Sequence, residues 1–297
     1  MTDTSNATSD TTSDTRTIRF PLDGPINLHA RVAHGSLTVR AAESITEAEV
    51  VLAPRTKGSD IAERTTVEMH GPTLTVTTPR RGGVFDLGLF GGGPFMSRDQ
   101  IDVTITVPAG TALRLATYTA PVEVSGRSGS ADVATGAADI TLEHVDGDLR
   151  LRFGSGSARA ERVAGTAQVR SGSGNASFGD VGGSLICGCG SGDLDVDSVR
   201  GAVRSRTGSG SARLGVVYSD VDLSSGSGGV EIGLPRGHAA QLNVVTGSGK
   251  VRSDLPVDER PRAGSPKIAI RARTGSGDVR LYRAGGAADE SVPTDAA

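Results

Sequence analysis

Residues 172–189, 190–207 and 208–225 read GSGNASFGDVGGSLICGC, GSGDLDVDSVRGAVRSRT and GSGSARLGVVYSDVDLSS. Written one beneath another, they fall into columns. The Gly-Ser-Gly element starts at Gly172, Gly190 and Gly208, and again at Gly154 and Gly226, always 18 residues apart. A second small residue keeps the same period at Gly147, Gly165, Gly183, Gly201 and Ser219. Two turn signals per repeat leave room for two short strands.

The positions between the turns confirm the period. In the first strand one column reads Leu113, Ala131, Leu149, Ala167, Leu185, Val203, Val221, and the column two residues on reads Leu115, Val133, Leu151, Val169, Cys187, Ser205, Leu223. In the second strand the corresponding columns run from Val122 to Val230 and from Val124 to Ile232. The residues between them are polar or charged. This is period-two alternation within a strand and like-on-like stacking between repeats. No window keeps apolar residues at helical spacing, so a helix is excluded.

The expected fold is all-β: a parallel β-solenoid of 18-residue coils with two facing parallel sheets, right-handed as parallel crossovers are. One coil cannot bury its own apolar face, so its neighbours must supply the other half of the core. Seven coils fit from Thr111 to Arg236, an eighth follows with a loop, and Ile268–Ala284 makes a last coil. The expected organisation is a disordered tail over residues 1–16 and irregular β coils with a cap over 17–110. The regular solenoid then spans 111–284 and a second disordered tail 285–297. Glycines in the corners are expected to supply positive φ and close backbone approach.

Composition agrees with a thin core. The chain has 297 residues, no Trp and only 3% aromatic residues, whereas a broad core uses large aromatics as filler. The net charge of −3 attracts neither polyanions nor polycations as a whole, so any charge effect must come from arrangement. The N-terminal MTDTSNATSDTTSDT has no basic or apolar region of a signal peptide. No stretch has the ~18 apolar residues of a membrane-spanning helix, and no lipidation motif is present. A cytoplasmic location is expected, with the cell surface by a signal-independent route as the alternative.

The phrase VPAGTALRL (Val107–Leu115) and the units TGSGSARL, TGSGKV and TGSGDVRL resemble the bacterial "putative adhesin" family of β-strand-repeat proteins, a domain of unknown function. The resemblance covers residues 20–284 and implies a surface role.

Motifs of chemistry fail one by one. Thr246-Gly247-Ser248-Gly249-Lys250 resembles the end of a phosphate loop, but Val251 stands where Ser or Thr is required. Calcium-binding β-rolls also have 18-residue coils, yet the residues two past the turn glycine are Ala158, Ala176, Leu194, Ala212 and Val230, which belong to a core column. Cys187 and Cys189 flank Gly188 on one strand and read as small core residues. Asp193, Asp195 and Asp197 invite comparison with pectin-cleaving β-helices, but Asp193 sits at a turn and the other two point outward. No cofactor, metal or catalytic residue is expected.

Two features remain. One sheet carries Arg114, Arg150, Arg152, Arg170, Arg204, Arg206, Arg271 and Arg273 on its outer face, interrupted by Asp132 and Asp222. The other carries Glu123, Glu143, Glu161, Asp195, Asp197 and Glu231, interrupted by Arg159, Arg213 and Arg280. Charged outer faces keep stacked strands soluble. The arginine ladder also suits an anionic polymer or the acidic face of a protein partner. No aromatic residues interleave with it, and no nucleic-acid motif is present. The second feature is the insert at 81–98, whose Phe85, Leu87, Leu89, Phe90 and Phe95 form either a cover for the core or an apolar contact loop. The expected function is a non-enzymatic scaffold or binding module. A cell-surface adhesin is the alternative, and a β-helix polysaccharide-active enzyme a distant one. Oligomeric state is left open by the sequence.

Overall fold

Alternation decides each strand. Lys267–Thr274 reads KIAIRART, and its side chains are exposed and buried in strict turn. Leu149–Ser155 and Leu185–Cys189 begin in the same way. Inward residues meet inward residues of the next rung, because parallel strands stack without a shift in register. A computed structural model describes residues 8–12, 15–79, 100–255 and 267–284. The chain forms two units, residues 1–158 and 159–297. Each contains strands of two mostly parallel sheets.

In the first unit one sheet runs, in spatial order, Thr8–Thr12, Thr15–Pro21, Glu47–Pro54, Ile101–Pro108, Gly35–Ala42, Val122–Ser128, Ile140–Val145. The other runs Thr66–His70, Thr73–Thr77, Asn27–Val32, Ala112–Thr117, Ala131–Ala137, Leu149–Ser155. Strands from Ile101–Pro108 onward in the first list, and from Thr73–Thr77 onward in the second, pair in parallel with the strand that follows them. The pairings that lead up to Ile101–Pro108 and to Thr73–Thr77 are antiparallel. A single-turn helix, Ile61–Arg64, buries Ile61 and Ala62, and the Arg16 guanidinium donates to the carbonyls of Ala62 and Thr65 at 3.1 and 3.3 Å. The strand Thr8–Thr12 and the start of Thr15–Pro21 lie within the stretch whose composition suggested a disordered tail. Backbone pairing, with Thr12 opposite Thr15, asks nothing of composition.

In the second unit one sheet runs Ala167–Ser171, Leu185–Cys189, Val203–Thr207, Val221–Ser225, Lys267–Thr274, Ala239–Thr246. The other runs Asn175–Val181, Leu194–Val199, Ala212–Val217, Val230–Leu234, Val279–Arg283, Val251–Ser253. Val169 faces Cys187, Cys187 faces Ser205 and Ser205 faces Leu223. Leu115, Val133 and Leu151 of the first unit and Val169 and Cys187 of the second are all buried.

The rungs do not follow chain order. The last coil, 267–283, is inserted between the rung at 221–234 and the rung at 239–253. In the first unit, likewise, the rung at 27–42 lies between the strands Thr73–Thr77 and Ile101–Pro108 on one side and the rung at 112–128 on the other. The expectation that Ile268–Ala284 makes the last coil is therefore corrected: the rung at 239–253 lies outside it.

The Gly-Ser-Gly corners show the expected close approach, and Gly156 has the expected positive φ of 98°. A Cβ on Gly210 would overlap the carbonyl oxygen of Gly192, and one on Gly228 would overlap that of Gly210. Neither residue has positive φ. Close approach, rather than left-handed backbone, demands glycine there. The preceding Ser or Thr secures the corner: Gly228 and Gly277 donate their amides to Ser225 Oγ and Thr274 Oγ1 at 2.9 and 2.8 Å.

These contacts give two expected outcomes. Gly210→Ala should lower stability by about 1–3 kcal/mol, whereas Gly24→Ala, where an added Cβ meets nothing, should change it little. Leu151→Asp, placing a charge at a fully buried position, should cost at least ~3 kcal/mol. Chemical denaturation of the three variants checks both.

Candidate anion-binding face

Outward side chains on one sheet are held in rows by the register. In the first unit Arg114, Asp132 and Arg150 lie in one row. Arg152 donates through Nη2 to Asp132 Oδ1 at 2.8 Å, and Arg150 is engaged in a contact of its own. The basic character of this face is therefore largely compensated, with Arg114 exposed beside it.

The second unit differs. One row reads Arg170, Gly188, Arg206, Ser224, Arg273, Val245, and its neighbour reads Gln168, Ile186, Arg204, Asp222, Arg271, Asn243. Arg170, Arg206 and Arg273 thus recur at every second rung, about 9.6 Å apart at ~4.8 Å per rung. Gly188 and Ser224 between them are too small to reach a guanidinium. Arg204 and Arg271 repeat the same spacing in the adjacent row. Among the described residues none of these five arginines forms an ion pair. Asp222 stands between Arg204 and Arg271 in register without pairing with either.

A groove of about 530 Å³ opens on this face. Its lining includes the small residues Ser184, Ala202 and Ala269, the polar Gln241 and Asn243, the basic Arg204 and Arg271, and the carboxylates Asp220 and Asp222, of which Asp220 accepts the Ala269 amide at 2.8 Å. The inserted rung builds it. Simple succession would have put 239–246 between Asp222 and Arg271; insertion sets the Arg271/Arg273 pair two rungs from Arg204/Arg206 and sends Gln241 and Asn243 to the rim. Sequence reading found the arginines but missed the groove, because nothing in the repeat announces the order of the last rungs.

Several carboxylates of the opposite sheet and its turns are committed to partners. Asp195 pairs with Arg213 at 3.6 Å, and Glu143 Oε2 accepts the Gly126 amide at 2.7 Å. At one corner a ladder of side chains accepts amides from the following rung. Asp139 takes that of Ser157, Asn175 that of Asp193, Asp193 that of Ser211, and Asp278 that of Lys250, all at 2.7–2.9 Å. The acidic run at Asp193 thus begins with a structural cap. Cys187 and Cys189 are buried with their Sγ atoms 3.2 Å apart. The Cys187 thiol is pushed up by its hydrogen bond with Cys189 and by burial. Among the described residues no group of three or more His, Cys, Asp or Glu could hold a metal ion, and no helix is long and apolar enough to cross a membrane. Phe85, Leu87, Leu89, Phe90 and Phe95 lie outside the described residues.

Stacked parallel rungs with sorted outer charges define a parallel β-solenoid repeat protein. The Toastrack DUF4097 model matches residues 36–289, and the chain belongs to that family. No curated protein matches the chain. Among solved structures, a putative lipid binding protein from Parabacteroides distasonis is 13% identical with a TM-score of 0.47, the match covering 90% of this chain and 96% of that one. A putative adhesin from Bacteroides fragilis is 12% identical with a TM-score of 0.38 over 90% and 96% of the two chains. A putative cell adhesion protein from Clostridium sporogenes is 9% identical with a TM-score of 0.27 over 91% and 99%.

The Ser157 hydroxyl and amide, both donating to Asp139, hold its carboxyl below the usual carboxylate range. A depressed pKa stabilises the folded state at neutral pH, and that contribution is lost as pH falls below about 4. Asp139→Ala should therefore lower the Tm at pH 7, and the difference from wild type should shrink on acidification. Thermal melts across that range check the sign.

Proposed function

We propose that the protein is a non-enzymatic binding module whose arginine face in residues 159–297 holds an anionic polymer. One observation carries this reading: exposed, unpaired guanidinium groups recur every second rung on a stiff sheet, around an open groove. Rows of like charge repel, and an anion set between two of them relieves both. Arg presents a planar fork that matches carboxylate, sulfate and phosphate. The spacing favours a chain whose anionic groups recur at a similar interval, so that successive groups meet successive arginines. Gln241 and Asn243 on the rim supply neutral donors and acceptors for the polymer backbone.

The non-enzymatic part of the reading is supported by the committed acids. Asp193 caps a backbone amide and Asp195 lies in an ion pair, so neither resembles a free acid–base pair set across a groove. Asp195→Asn should consequently leave no activity to lose: wild type and variant alike should release no reducing ends or unsaturated products from acidic polysaccharides. Turnover by the wild type that this variant abolishes would overturn that part.

Binding of heparin, alginate and polyphosphate by fluorescence anisotropy tests the main reading. Binding should be measurable at low salt and weaken steeply as the screening length falls to about 8 Å at physiological ionic strength. Arg204→Ser with Arg206→Ser, Arg271→Ser and Arg273→Ser should remove it at unchanged Tm. Asp222→Asn should strengthen it, by about 3- to 10-fold, because it deletes the negative charge between two arginines. A wild type that binds none of the polymers, or a quadruple variant that binds equally well, would leave the face as a solubility device.

A further inference from the structure

The rung at 239–253 is the last of both sheets in the second unit. One edge of Ala239–Thr246 pairs with Lys267–Thr274, and one edge of Val251–Ser253 pairs with Val279–Arg283. Among the described residues no strand pairs with the other edge of either. Leu242 and Val251 stand in the same columns as Ile270 and Val279, which are 1% exposed, yet are themselves 41% and 47% exposed. Among the described residues no further rung covers the core there. Exposed edges of this kind usually carry charges that discourage pairing, but residues 239–249 carry none.

We infer that this rung is an association surface for a second copy of the same chain, paired edge to edge about a two-fold axis. The geometry singles out that occupant. Two edges in two facing sheets, with apolar side chains between them, need a partner that offers two strands at the same separation. A single extended segment satisfies one edge and leaves the other unpaired. The same rung of another copy offers both. A two-fold axis normal to the sheets sets each strand antiparallel to its own copy and closes the contact after two subunits. Leu242 and Val251 then receive the apolar neighbours that every inner rung has.

Charge agrees with that direction. Lys250 lies just before the short strand, Arg252 at its centre and Asp254, held by Arg280 at 3.3 Å, just past its end. Antiparallel pairing brings the basic end of one copy to the acidic end of the other, whereas parallel pairing would set like against like. Along the longer strand there is no charge to oppose.

Analytical ultracentrifugation of the full chain across a wide concentration range tests the inference. The mass should rise with concentration from 30.2 kDa to twice that value and no further. Leu242→Lys with Val251→Lys, at positions already exposed, should weaken association by about 100-fold or more with the Tm retained. Should that variant fail to fold, hydrogen exchange on the wild type replaces it: amides in 239–246 should gain protection as concentration rises. A wild type that stays monomeric, association unaffected by the double variant, or exchange independent of concentration would overturn it. So would dimerisation that appears only after residues 285–297 are deleted, which would identify the tail as the occupant.

Discussion

A carbonyl oxygen of one rung occupies the space that a Cβ of the next rung would need. This close approach at the Gly-Ser-Gly corners sets the terms for the rest of each unit. It fixes glycine at Gly192, Gly210 and Gly228, and it brings successive corners near enough for side chains to cap backbone amides across rungs. Asp139, Asn175, Asp193 and Asp278 do so on one side of the turn. Ser225 and Thr274 cap from the other, within the corner. With the corners pinned, the strands between them have little freedom to slip. Register is then decided by the columns, because a one-residue shift would turn every inward Val and Leu outward.

Pinned register also governs the outer surface. A residue two positions along a strand, or one rung over, has a fixed place, so charge can be distributed by sequence with little side-chain rearrangement. The two units use this differently. Around Asp132 in the first, acid and base meet within hydrogen-bonding distance. In the second, small residues separate the arginines, and Asp222 stays apart from the two guanidiniums that flank it. The same scaffold therefore supports a compensated face or an uncompensated one, depending on what fills alternate rungs.

The repeat was legible because each column is a local, periodic signal. Leu115, Val133, Leu151, Val169 and Cys187 could be assigned to the interior by counting alone, and all are buried. The outward arginines followed from the same count. Rung order was not legible. Leu242 and Ile270 both satisfy the column that precedes them, and a strand pattern does not say which of two candidates stacks first. The pairing of Thr8–Thr12 was hidden for a related reason: it rests on backbone hydrogen bonds, to which a Ser/Thr/Asp-rich composition is indifferent. The glycine corners were read correctly as special, but crowding and positive φ leave the same residue in the sequence, and only geometry separates them.

Insertion of the last coil has an energetic reason within the second unit. The rung at 267–283 contributes Ile268, Ile270, Ala272, Val279 and Leu281, all at or below 1% exposure. The corresponding positions of the rung at 239–253 are Ala240, Leu242, Val244, Val251 and Ser253. The two sets differ most where Ile268 replaces Ala240 and Leu281 replaces Ser253. Full burial of a large aliphatic side chain contributes about 1.5–3 kcal/mol, so the order that buries both, and leaves Ala240 and Ser253 at the end, is favoured by a few kcal/mol over simple succession. That preference must exceed the cost of closing the connection through residues 254–266, which grows only slowly with loop length. The weaker rung is thus left outermost by the same burial that organises the interior, and the arginine pairs on 203–207 and 267–274 are drawn together as a consequence.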